Sequence, residues 1–167
     1  DFAGGYSTLI PNPDPSGVNT SDNVVEFFKE TGANVYAGTA IPLGGNIDFS
    51  QFTALKMDVW SPLLGSTVKL KIEDASDPNI ALEVDALTTT TNQWETLYFD
   101  FSGFDLSQDY GQIVVFFDFG NGMVVVGFES ALAGSEDVGD VGVRQLVKVA
   151  ELEHEPLLLW ELRHCSI

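Results

Sequence analysis

Leu55-Lys56-Met57-Asp58-Val59-Trp60 and Trp94-Glu95-Thr96-Leu97-Tyr98-Phe99-Asp100-Phe101 trade apolar for polar side chains residue by residue, and this alternation decides the fold. Val68-Lys69-Leu70-Lys71-Ile72-Glu73 and Ile113-Val114-Val115-Phe116-Phe117-Asp118-Phe119 carry the same pattern. Successive side chains of a pleated strand point to opposite faces, so period 2 predicts strands with one buried and one wet face. The wet positions hold Trp, Tyr, Lys and Glu, a richer set than solubility requires.

Outward from these runs the chain is punctuated at short intervals. Pro62 with Gly65, Asp77-Pro78-Asn79, Asn92 and Ser102-Gly103 separate the strands, and residues 80–86 add another alternating run. Upstream, residues 6–10, 24–29 and 35–39 lean to strand, with Thr31-Gly32-Ala33-Asn34 as a turn. Nothing from 1 to 121 has a helical period, and the spacing predicts an all-β, antiparallel sandwich of jelly-roll type. Composition changes after Gly122. Residues 123–128 read as a possible closing strand and 131–142 as an acidic linker. Leu146, Val149, Ala150 and Leu152 permit a short helix, followed beyond Pro156 by the apolar patch 157–160. The expected organisation is a sandwich over 1–122 with an atypical tail over 123–167.

The totals narrow the function. Seven Lys and Arg against 25 Asp and Glu leave a formal charge of −18, which repels nucleic acid phosphates and anionic head groups. No partner of either kind is expected. The only cysteine is Cys165, so no intrachain disulfide forms. No long apolar segment spans a bilayer, and any signal peptide is expected to have been removed or to lie upstream.

Acid–base chemistry needs positioned groups, and the carboxylates here are many but scattered. Glu73 and Glu83 occupy wet positions of neighbouring runs, where a facing pair is conceivable. His154 and His164 lack metal-pair spacing, and no Gly-x-Ser-x-Gly elbow or phosphate cradle occurs. Glu73-Asp74-Ala75-Ser76-Asp77-Pro78-Asn79 gathers hard oxygen ligands, so Asp74 and Asp77 are candidate calcium ligands; an Asx-rich turn capping its own backbone is the competing reading.

The wet face itself is the remaining candidate. Sugars are recognised by aromatic rings offering a flat apolar platform, with polar groups at the edges satisfying hydroxyls. In strict alternation Lys56, Asp58 and Trp60 share a side, as do Lys69, Lys71 and Glu73, and Trp94, Thr96, Tyr98 and Asp100; Phe116 pairs with Asp118. Duller roles compete: Trp94 sealing the core edge, Phe116 packing beneath a loop.

The succession Asn12-Pro13-Asp14-Pro15-Ser16-Gly17-Val18-Asn19-Thr20-Ser21, then Val35-Tyr36-Ala37-Gly38, then Ile47-Asp48-Phe49-Ser50 with 55–62, 68–77, 92–103 and 110–122, resembles jelly-roll carbohydrate-binding modules of secreted bacterial polysaccharide-degrading enzymes. The resemblance implies a non-catalytic module, extracellular or at the cell surface within a larger secreted protein, often with a structural calcium ion. Tyr36 is then ligand-facing. The expected ligand-binding set is Tyr36, Trp60, Lys69, Lys71, Glu83, Tyr98 and Asp118, and the partner a polysaccharide or oligosaccharide. Two other classes stand beside it. One is a structural or adhesive sandwich that associates with protein, or with its own copy, through the tail patch 157–160; the other is a jelly-roll lyase or hydrolase.

Overall fold

Each alternating run becomes a strand. In the computed structural model, which describes residues 1–121 and the backbone of 143–149, nine strands and no helix form. They are β1 Gly5–Pro11, β2 Asn23–Lys29, β3 Gly38–Pro42, β4 Ala54–Trp60, β5 Thr67–Glu73, β6 Ala81–Leu87, β7 Trp94–Asp100, β8 Gln112–Phe117 and β9 Val143–Val149. Every pairing is antiparallel. One sheet has the order β1-β2-β9-β4-β7 and the other β3-β8-β5-β6, an antiparallel β-sandwich.

The inner faces interlock as the alternation predicts. Leu55, Met57 and Val59 of β4, Leu97 and Phe99 of β7 and Phe27 of β2 meet Val68, Leu70 and Ile72 of β5 and Ile113, Val115 and Phe117 of β8 in one buried cluster. Phe27 and Phe117 stack between the sheets with centroids 4.7 Å apart. Burying each such side chain stabilises by about 1.5–3 kcal/mol, so the core alone fixes which face of each strand is wet.

Two sequence expectations change. The run 35–39 starts its strand late, at Gly38, because Ala37 N–H closes a turn on the Asn34 carbonyl and Asn34 N–H is held by Ala3. The helix expected around Leu146 is also overturned over its first part. Val143–Val149 is a strand between β2 and β4, Val25 opposite Val147 and Trp60 opposite Leu146. A lone helix here would bury one face, whereas a central strand satisfies backbone groups on both sides. The sandwich therefore draws on residues well past 122, and its inserted strand separates β2 from β4. The expected strand at 123–128, the linker at 131–142, the rest of the helix and the patch 157–160 lie outside the described residues.

Candidate functional site

The sandwich has two outer faces, and the candidate residues divide between them. On the five-stranded sheet, β4 and β7 pair so that Lys56 lies opposite Tyr98, Asp58 opposite Thr96 and Trp60 opposite Trp94. These six residues share the outward side because their neighbours Leu55, Met57, Val59, Leu97 and Phe99 are in the core. Tyr98 is 64% exposed in the middle of a strand. Thr96 Oγ1 donates to Asp58 Oδ1 at 2.7 Å, which joins the two side chains across the β4–β7 pair. Trp60 and Trp94 are half-buried, and Trp94 Nε1–H donates to the Asp14 carbonyl at 2.8 Å. The loop between β1 and β2 thus lies against the edge of the Trp94 indole. Trp94 belongs to this outer stripe and not to the core edge.

At the other end of the stripe the segment before β4 stands up beside Tyr98. Gln51, Phe52, Thr53, Ala54, Leu55, Lys56 and Tyr98 line a shallow hollow of about 290 Å3. Phe52 is 42% exposed there. Asp100, opposite Ala54 in the ladder, completes the outward row. The Ser102 backbone N–H, donating at 2.8 Å, and its side chain hold the Asp100 carboxyl below the usual aspartate value, so it is an ionised acceptor near neutral pH.

The other outer face carries Lys69, Lys71 and Glu83, separated from Trp60 and Tyr98 by the thickness of the core. Lys69 Nζ lies 3.2 Å from Glu83 and 2.8 Å from Asp85, and 4.7 Å from the Phe119 ring centroid. Burial disfavours the ammonium, but bonding and charge from Asp85 and Glu83 outweigh it and raise its pKa above the ordinary lysine value. Lys71 pairs with Glu73, which also accepts from Gln112 Nε2. Glu73 stands opposite Ala81, not opposite Glu83, so the conceivable facing carboxylate pair does not form. This face is a ladder of ions already paired with each other. Phe116 sits under Phe2 and Phe119, as the packing reading expects.

The last two candidates sit elsewhere. Asp118 is only 9% exposed and accepts from Ser66 Oγ at 3.2 Å and Asn121 Nδ2 at 2.9 Å. Beside it the buried Lys29 ammonium donates to the carbonyls of Asn121, at 2.9 Å, and Asp118, at 3.3 Å. Asp118 therefore builds a turn. Tyr36 is exposed on the loop entering β3, which Gly120 N–H ties to the turn after β8 through Val35. Of the expected set, the β4–β7 stripe brings together Trp60 and Tyr98; Lys69, Lys71 and Glu83 lie on the opposite face, Asp118 in the turn after β8 and Tyr36 on the loop entering β3.

Asp74 and Asp77 form the Asx turn. Asp74 Oδ1 accepts from Ser76 N–H and Oγ, both at 2.6 Å, and from Asp77 N–H, while Asp77 Oδ1 accepts from Asn79 N–H and Nδ2. Oδ1 of each carboxylate thus caps its own turn, the geometry that the Asx reading expects. Among the described residues no three His, Cys, Asp or Glu side chains converge as a metal site. His154, His164 and Cys165 lie outside those residues. Phe52 was not legible as a site residue from sequence; a single aromatic between Gln51 and Thr53, just ahead of an alternating run, is its only signal.

No protein-family model matches the chain, and no curated protein matches its sequence. Among solved structures it is similar to an exo-β-agarase, with 11% identity and a TM-score of 0.59 over 94% of this chain and 24% of the agarase. The chain thus spans about a quarter of that protein's length. It is also similar to a family 30 carbohydrate-binding module, at 11% identity and TM-score 0.47 over 91% of this chain and 78% of that one. A family 29 module complexed with mannohexaose gives 14% identity and TM-score 0.45 over 87% and 75%. At such identities the likeness is one of fold alone.

Proposed function

We propose that the chain is a non-catalytic carbohydrate-binding module that holds a polysaccharide on the outer face of its five-stranded sheet. One observation carries this reading: Tyr98 stands 64% exposed in mid-strand, opposite Lys56, at the rim of a hollow it shares with Phe52. A ring held out on a rigid sheet offers a preformed stacking surface with little ordering cost, and the flanking Lys, Asp and Thr groups suit hydroxyls. Trp60 and Trp94 extend the platform. The net charge of −18 favours uncharged chains over anionic ones. Likeness to part of an exo-β-agarase accords with a module carried beside a polysaccharide-acting enzyme, and hence with an extracellular location.

The test is affinity electrophoresis against laminarin, xylan, cellulose derivatives and alginate, each offered intact and as its partial hydrolysate. Retardation or competition by at least one is expected. Tyr98→Ala should weaken it about fivefold, the equivalent of ~1 kcal/mol for one lost stacking contact, with the unfolding midpoint nearly unchanged. Silence across the whole panel would sink the proposal.

A further inference from the structure

From the two ends of the stripe we infer that this module binds the terminal unit of a saccharide chain, seated in the hollow between Phe52 and Tyr98, and not an internal stretch. The inference rests on the carbohydrate-binding reading. An open platform for chain interiors must let the chain run off at both ends. This stripe is bounded at both. At one end the Asp14 carbonyl is hydrogen-bonded to the Trp94 indole, so polypeptide occupies the edge of the last ring. At the other, Gln51, Phe52 and Thr53 wall the hollow beyond Tyr98.

Between those limits Trp94 and Tyr98 are four residues apart, roughly 13 Å along a strand, room for a short run of sugar rings. The hollow's volume, about 290 Å3, lies at the bottom of the range of small-molecule pockets, ~300–1,000 Å3, and suits one ring. The polar groups favour an end as well. A terminal sugar carries a free hydroxyl that an internal unit has lost to its glycosidic bond. Around the hollow stand the amide of Gln51, the hydroxyl of Thr53, the Lys56 ammonium and, across from Ala54, the ionised Asp100. Amide, hydroxyl and ammonium side chains thus gather where the chain would stop, beside two rings that can hold its last unit.

The deciding experiment compares intact laminarin and xylan with their partial acid hydrolysates as competitors, at equal mass, using whichever binds the chain. End recognition predicts that hydrolysis raises potency per gram by about the factor by which reducing ends increase. Phe52→Ala should abolish that gain at an unchanged unfolding midpoint, and Phe52→Leu, which keeps apolar bulk without the ring, should reduce it. Equal potency by mass, or a gain that survives Phe52→Ala, overturns this inference while carbohydrate binding stands. If neither intact nor hydrolysed material from the panel binds, both fall together.

Discussion

Replacing Gly38 by alanine should destabilise the sandwich while leaving the β4–β7 face untouched. Gly38 opens β3 opposite Phe116 of β8, and Phe2 N–H donates to its carbonyl at 3.1 Å. A Cβ at this position would stand 2.5 Å from the Val115 carbonyl oxygen, 3.0 Å from Phe2 Cζ and 3.3 Å from Phe116 Cδ1. The nearest of these is backbone in the middle of the β3–β8 ladder, so relief requires the strands to part. Phe116 is pinned edge-on between Phe2 and Phe119 and cannot yield cheaply. Overpacking of this kind costs about 1–3 kcal/mol, and a backbone clash places Gly38→Ala towards the upper end. Each kcal/mol moves the midpoint of a domain this size by roughly 2–4 °C, so a fall of about 5–10 °C is expected. Gly45→Ala is the matched control. A Cβ there meets nothing within 4 Å, and the change should be neutral or stabilise by up to ~1 kcal/mol through the unfolded chain. Thermal unfolding followed by circular dichroism reads both. Equal midpoints for the two variants would refute the packing assigned to Phe2, Gly38 and Phe116.

Lys69→Met removes the ion that joins β5 to Glu83 and Asp85, on the face opposite Tyr98. It should lower stability by under ~1 kcal/mol and leave glycan retention unchanged; lost retention would return these ions to the binding site. Glu95 supplies a pH dependence. Burial pushes its carboxyl up, but donors from Thr89 and Thr90 prevail and hold its pKa below the ordinary glutamate value. The folded value lies below the unfolded one, so its stabilisation is present above the unfolded pKa and disappears as pH falls through the folded one. The stability gap between wild type and Glu95→Gln should therefore close with acidification, and urea midpoints showing a constant gap would contradict it. Trp94→Phe keeps the ring but loses the bond to Asp14, a cost of about 0.5–1.5 kcal/mol. Faster proteolysis within residues 12–20 should accompany it, and an unchanged cleavage rate would argue that the loop is held by other bonds.

The strands were legible because their cause is local. In Leu55-Lys56-Met57-Asp58-Val59-Trp60 the pleat alone requires Lys56, Asp58 and Trp60 to share a side opposite Leu55, Met57 and Val59, and the structure places them so. Tyr98 follows the same rule between Leu97 and Phe99. Val143–Val149 shows where local pattern runs out. Its apolar residues suit period 2 and tolerate a helical period, and the choice is made by the open edges of β2 and β4, both distant in sequence.

What the sequence determined by itself is the class of fold and which side chains of each strand are wet, since both follow from a repeat of two residues and the burial of apolar groups. Only tertiary structure decided which wet side chains stand together. Strand order is a product of long-range pairing: β4 beside β7 brought Trp60, Trp94, Lys56 and Tyr98 onto one platform, while β5 beside β6 and β8 set Lys69 against Glu83 and Asp85, with Lys71 against Glu73, on the opposite face. Phe52 joined the platform only because the segment before β4 rises beside Tyr98, a meeting that no spacing along the chain records.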